Sequence, residues 1–151
     1  MIELILMSHV LFGMLCIIGA VWLFVDVLNA SEANRTRIKV LSVGVATTMW
    51  LSFLIAGYWY VVYYGADKAI ILKGPWPFAH EFFMEMKEHV VMMLLLLATF
   101  LPIVAFENLA VNKAARKVAL WVAGLVGLIA VAMDGSGALI AMGVKVALLP
   151  K

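Results

Sequence analysis

Charge is scarce in this chain of 151 residues: only 13% are Asp, Glu, Lys or Arg, against 66% hydrophobic. A soluble domain usually carries about 25% charged residues. A chain this short buries only part of so much apolar surface within itself, and a mean hydropathy of +1.10 points to lipid as the solvent for the rest. The single cysteine, Cys16, excludes an internal disulfide and any Cys-x-x-Cys metal or haem-attachment motif. A net charge of +2, with no basic stripe and no Gly-rich phosphate loop, argues against nucleic acid as a partner. No Lys or Arg precedes the first apolar run, and Ala30-Ser31 is a poor cleavage context. That run therefore reads as a retained span rather than a secretory signal.

What is present is a series of long apolar runs, 4–25, 40–62, 90–106 and 114–133. Each approaches the roughly 20 helical residues that cross a hydrocarbon core. They lack the period-two alternation of barrel strands, and backbone amides in lipid must be satisfied internally. The expected fold is all-alpha: one integral membrane domain with helices at about 4–28, 40–63, 78–107 and 113–133. The third is expected to begin behind the Gly74-Pro75-Trp76-Pro77 turn, with Pro77 near its first position. Asp134-Gly135-Ser136-Gly137 reads as a break, with Asp134 capping or ending the fourth helix. It leaves a short apolar helix at about 138–149, too short to cross and carrying Lys145, as interfacial helices do. Pro102 inside the third span removes one backbone donor and is tolerated there.

The linkers at 26–39 and 107–117 are short and basic, which by the positive-inside tendency places both in the cytoplasm and the long linker at 64–88 outside. The first and third helices then run inward. The location expected is a bacterial inner membrane, with the histidines toward the outer face. Tyr58, Trp59, Tyr60, Tyr63 and Tyr64 form an aromatic band at the outer end of the second helix. Arg35, Arg37, Arg116 and Lys117 suit lipid headgroups.

His9 and His89 draw attention, because ionisable side chains within spans usually face the bundle interior. On this topology both sit near the outer surface at similar depth. Two imidazoles from different helices can ligate one haem iron from opposite faces. They also suit copper, iron or zinc, or simply a hydrogen bond between helices. Gly13, one turn from His9, would let a flat macrocycle approach the backbone, and Met93 lies one turn below His89. Glu85 shares a face with His89 and could orient its imidazole, or serve a quinone site with Glu81 and Glu88. It could equally belong to a hydrated helix end. His80 lies on roughly the opposite side of a straight helix from His89, so it is a second-shell or propionate-side candidate. Lys68, Lys73 and Lys87 are the candidate propionate partners. With three histidines in all, one bis-histidine haem is the most a chain can hold.

Ser8-His9-Val10-Leu11-Phe12-Gly13 and the Glu88-His89 that opens the third span resemble small four-helix b-type cytochrome membrane proteins, including the copper-resistance-D-like group. The resemblance implies haem b on His9 and His89, with a quinone as a further cofactor. Its function would be electron transfer between a quinone pool and an outer-side protein partner. Two readings compete with it: a structural or assembly subunit of a larger membrane complex, or of a homo-oligomer, and a small metal or solute transporter.

Overall fold

A computed structural model describes residues 2–150. Its elements are α1 (Ile2–Leu28), α2 (Arg35–Val62), a short α3 (Tyr64–Lys73), a π-helical turn (Ala79–Met84) that continues into α4 (Glu85–Ala105), and α5 (Lys113–Ala147). Among the described residues four helices are long and apolar enough to span a membrane: α1, α2, the π turn joined to α4, and α5. α1 packs on α2 and α5, and α4 packs on the same two, while the α1 and α4 backbones stay apart. The four therefore form a square with α1 and α4 on one diagonal. Consecutive neighbours are antiparallel, the up-down arrangement that short connections favour. The end of the bundle holding Ile2 and Ala147 is its upper end, and the end holding Leu28 and Lys113 is its lower end.

The interior is chosen by size rather than by polarity, because lipid is as apolar as a leucine core. On α1 the buried positions are Gly13, Cys16, Ala20, Leu23 and Val27. On α2 they are Ile38, Ser42, Val45, Met49 and Ser52. Both series step by three and four, the seam spacing of packed helices. α5 continues the pattern through Ala119, Ala123, Val126, Ala130 and Met133 to Ser136, Ile140 and Gly143. Large side chains such as Trp22, Trp121 and Leu128 point outward. Trp50 Nε1 donates to Thr99 Oγ1 at 3.0 Å, tying α2 to α4.

The lower end is stitched by polar groups. Asn34, at the start of α2, accepts from the Ser31 amide at 2.9 Å and donates to the carbonyls of Asp26 and Asn29 at 3.0 and 3.2 Å. Arg37 makes two 2.6 Å bonds to the Asp26 carboxylate. The Arg116 guanidinium donates to the Val27 and Leu28 carbonyls, supplying donors to a helix end that otherwise lacks them. This stitching extends α2 five residues further down than the apolar run at 40–63 suggests.

Two sequence expectations fail at the upper end. Asp134-Gly135-Ser136-Gly137 does not break the chain: α5 runs unbroken for 35 residues, and the separate helix at 138–149 does not exist. Each helical glycine costs about 0.5–1 kcal/mol, but here the absent side chains admit neighbours. A methyl group on Gly143 would fall 2.8 Å from Ala79 Cβ, and one on Gly74 2.5 Å from Ala147 Cβ. The upper part of α5 is thus held by the π turn and α3, and Asp134 is an interior residue of the span, not a cap. The linker at 64–88 also holds a helix, α3, that apolar periodicity did not reveal.

Candidate functional site

Asp134, Lys87, His9 and Ser52 converge within the upper half of the bundle, one from each long span. His9 Nδ1 lies 3.1 Å from the Ser52 carbonyl oxygen and 2.9 Å from its hydroxyl, which itself donates to the His9 carbonyl at 3.1 Å. A carbonyl only accepts, so Nδ1 carries the proton and Nε2 keeps its lone pair. Gly13, one turn further along α1, opens a gap that Asp134 enters. A methyl group there would sit 3.2 and 3.6 Å from the two carboxylate oxygens and 3.7 Å from Ser52 Oγ. Lys87 reaches in from α4, and a methyl on Gly137 would meet its Nζ at 3.1 Å. The Asp134 carboxylate is within Coulomb reach of both the His9 imidazole and the Lys87 amine.

Yet among the described residues neither Asp134 nor Lys87 has a hydrogen bond or an ion pair; the ion pairs there are Arg35–Glu32, Arg37–Asp26 and His80–Glu85. His9 and Gly13 lie about 10 and 17 Å along α1 from its upper end, within a bundle about 40 Å tall. All four residues lie within or at the inner edge of helices long and apolar enough to span a membrane. An Asp or Lys at the centre of a spanning helix costs about 2.5–3.5 kcal/mol on insertion scales.

A second polar cluster lies beside the first, around the π turn and the start of α4. His80 is 4% exposed; its Nδ1 lies 2.9 Å from the Tyr64 hydroxyl and its Nε2 3.7 Å from Glu85 Oε1. Tyr60 stacks on Tyr64 with centroids 5.2 Å apart and donates to Glu88 Oε1 at 2.5 Å. Burial pushes the Tyr64 phenol up from its ordinary value. The π turn makes this cluster: the Glu85 amide bonds the His80 carbonyl, five residues back. That register stacks two side chains which an α-helix would set about 140° apart.

The residues singled out from the sequence fall in several settings. His9 faces inward but is engaged by Ser52. His89 is exposed, its Nδ1 donating to the Glu85 carbonyl of its own helix at 2.7 Å. Gly13, the expected macrocycle slot, holds the Asp134 carboxylate. Met93 points out of the bundle. Glu85 turns its carboxylate to His80, not to His89. Lys87 lies in the interior cluster rather than at a rim where propionates would sit. Among the described residues no three His, Cys, Asp or Glu side chains are grouped to hold a metal ion.

Sequence reasoning missed Asp134, Ser52 and Tyr64 as site residues and gave Lys87 a different role, as a candidate propionate partner. A signal for the first was available: an acid flanked by apolar runs on both sides is an intramembrane candidate by default. The glycines around Asp134 disguised it as a helix stop. Searches of family models, of curated proteins and of solved structures find no match to the chain.

Proposed function

We propose that this chain is a small membrane transporter that moves protons through the Asp134–Lys87–His9 cluster. The observation that carries this reading is a carboxylate and an amine on adjacent spanning helices, both unpaired among the described residues, beside an imidazole with a free Nε2. Uncompensated charge there is costly, and such residues mark ion and proton pathways. A proton taken up by Asp134 neutralises the carboxylate, and its release restores the attraction to Lys87. His9, held by Ser52, offers Nε2 as the next acceptor. We place the upper end outside a bacterial inner membrane, in keeping with the basic lower linkers.

Infrared difference spectroscopy of the purified protein across a pH titration tests the reading. A carboxylic-acid carbonyl band that is absent in Asp134→Asn is expected. Proteoliposomes carrying a pH dye and an imposed potassium potential should acidify faster than those with Asp134→Asn, whose amide cannot take up and release the proton. Equal fluxes, with no band assigned to Asp134, would overturn it. A dithionite-reduced haem spectrum lost in His9→Ala and His89→Ala would put electron transfer in its place.

A further inference from the structure

Away from the proton cluster, the lower half of the α1/α5 face carries a groove of about 380 Å³, within the ~300–1,000 Å³ span of small-molecule sites. It exists because Gly124 has no side chain: the Phe24 ring forms its floor, 3.5 Å from where a Gly124 methyl would stand. Trp121, Leu125 and Leu128 rise around it on α5. Lys117, one turn below Trp121, closes the lower end. The groove is therefore apolar toward the membrane middle and cationic at the membrane edge.

Among the described residues Lys117 makes no hydrogen bond or ion pair, whereas the adjacent Arg116 is committed to the Val27 and Leu28 carbonyls. Lys113 lies one turn further down and is exposed. One free cation at headgroup level beside an apolar channel is the complement of an amphiphile with an anionic head. A second copy of the chain fits less well. A two-fold axis along the membrane normal makes an isologous contact, which would set Lys117 against its own symmetry mate beside the exposed Trp121.

We infer that this groove binds one anionic phospholipid, its acyl chain over Phe24 and Gly124 and its phosphate at Lys117. The full chain, purified in mild detergent, is offered phosphatidylglycerol or phosphatidylcholine with identical acyl chains, and bound lipids are counted by native mass spectrometry. The wild type should hold one phosphatidylglycerol about fivefold more tightly than phosphatidylcholine, the effect of one lysine near an anionic surface. Lys117→Gln should abolish that preference while leaving phosphatidylcholine retention unchanged, and Gly124→Leu should release both lipids. Lys113→Gln, outside the groove, should keep a clear preference. Equal retention of the two lipids by wild type, or a preference that survives Lys117→Gln, overturns the inference. So does a dimer that Gly124→Leu dissociates. Lys117 is exposed, so its substitution does not threaten folding and the test stays decisive even if Gly124→Leu fails to fold.

Discussion

Ser52 shows how one residue can fix the chemistry of a neighbour. Its backbone carbonyl and side chain both engage His9 Nδ1, so Ser52→Ala, which keeps the carbonyl, should loosen the ring without releasing it, at a cost of about 0.5–1.5 kcal/mol, the net worth of a hydrogen bond. The check is a fall in melting temperature in detergent together with altered histidine nitrogen shifts by NMR. Gly13→Ala probes the same cluster from the opposite side. Its new methyl falls 3.2 Å from Asp134 Oδ1, so the carboxylate must move, and the carboxylic-acid band should shift while the helices remain folded. At the surface, burial raises the Asp67 carboxyl above its usual value. The folded chain then holds this proton more firmly than the unfolded chain does. Stability therefore declines as pH rises from the ordinary carboxylate value through the raised one. Asp67→Asn should flatten that part of a melting-temperature profile against pH. At this scale the sequence revealed which residues are ionisable, but not which meet: His9 was legible as an inward group, while its partner Ser52 is 43 positions away.

Elements differ in how plainly the sequence declares them. α1 was almost fully legible, because a long apolar run leaves the backbone no alternative to a helix. α5 was misread, since Gly135 and Gly137 are breakers by local propensity; the helix runs through them because its upper part is held elsewhere, as at Gly143 against Ala79. The same logic separates two glycine substitutions. A methyl group added to Gly44 would meet nothing within 4 Å, so Gly44→Ala should stabilise the protein by about 0.5–1 kcal/mol through the backbone alone. Gly143→Ala, whose methyl would fall 2.8 Å from Ala79 Cβ, should destabilise it by about 1–3 kcal/mol through overpacking. Thermal unfolding of the two variants in one detergent compares them directly. The π turn was illegible for another reason. A five-residue register is seen only through its partners, here Tyr64 and Glu85 around His80.

For the molecule as a whole, the square of helices decides which side chains share the interior. Both histidines reach the upper half, but their helices are diagonal, and Asp134 and Lys87 reach the interior instead. Orientation belongs to this scale too. In a Cys16→Ala background, Lys117→Cys should react with an impermeant thiol reagent only from the cytoplasmic side, and Lys68→Cys only from outside. Labelling of intact cells against inverted vesicles reads this out, and the reverse pattern would move the proton cluster to the inner face.

The amino-acid sequence by itself determined that this is a helical membrane protein with four spans. The reason is additive: so much apolar side chain has no home in water, and a backbone in lipid must bond to itself. Only the tertiary structure decided what the spans enclose. Which faces meet depends on helix order and rotation, set by small residues such as Gly13, Ala20 and Gly127 that let neighbours approach. Those contacts join positions as distant as His9 and Asp134, and no local pattern encodes them.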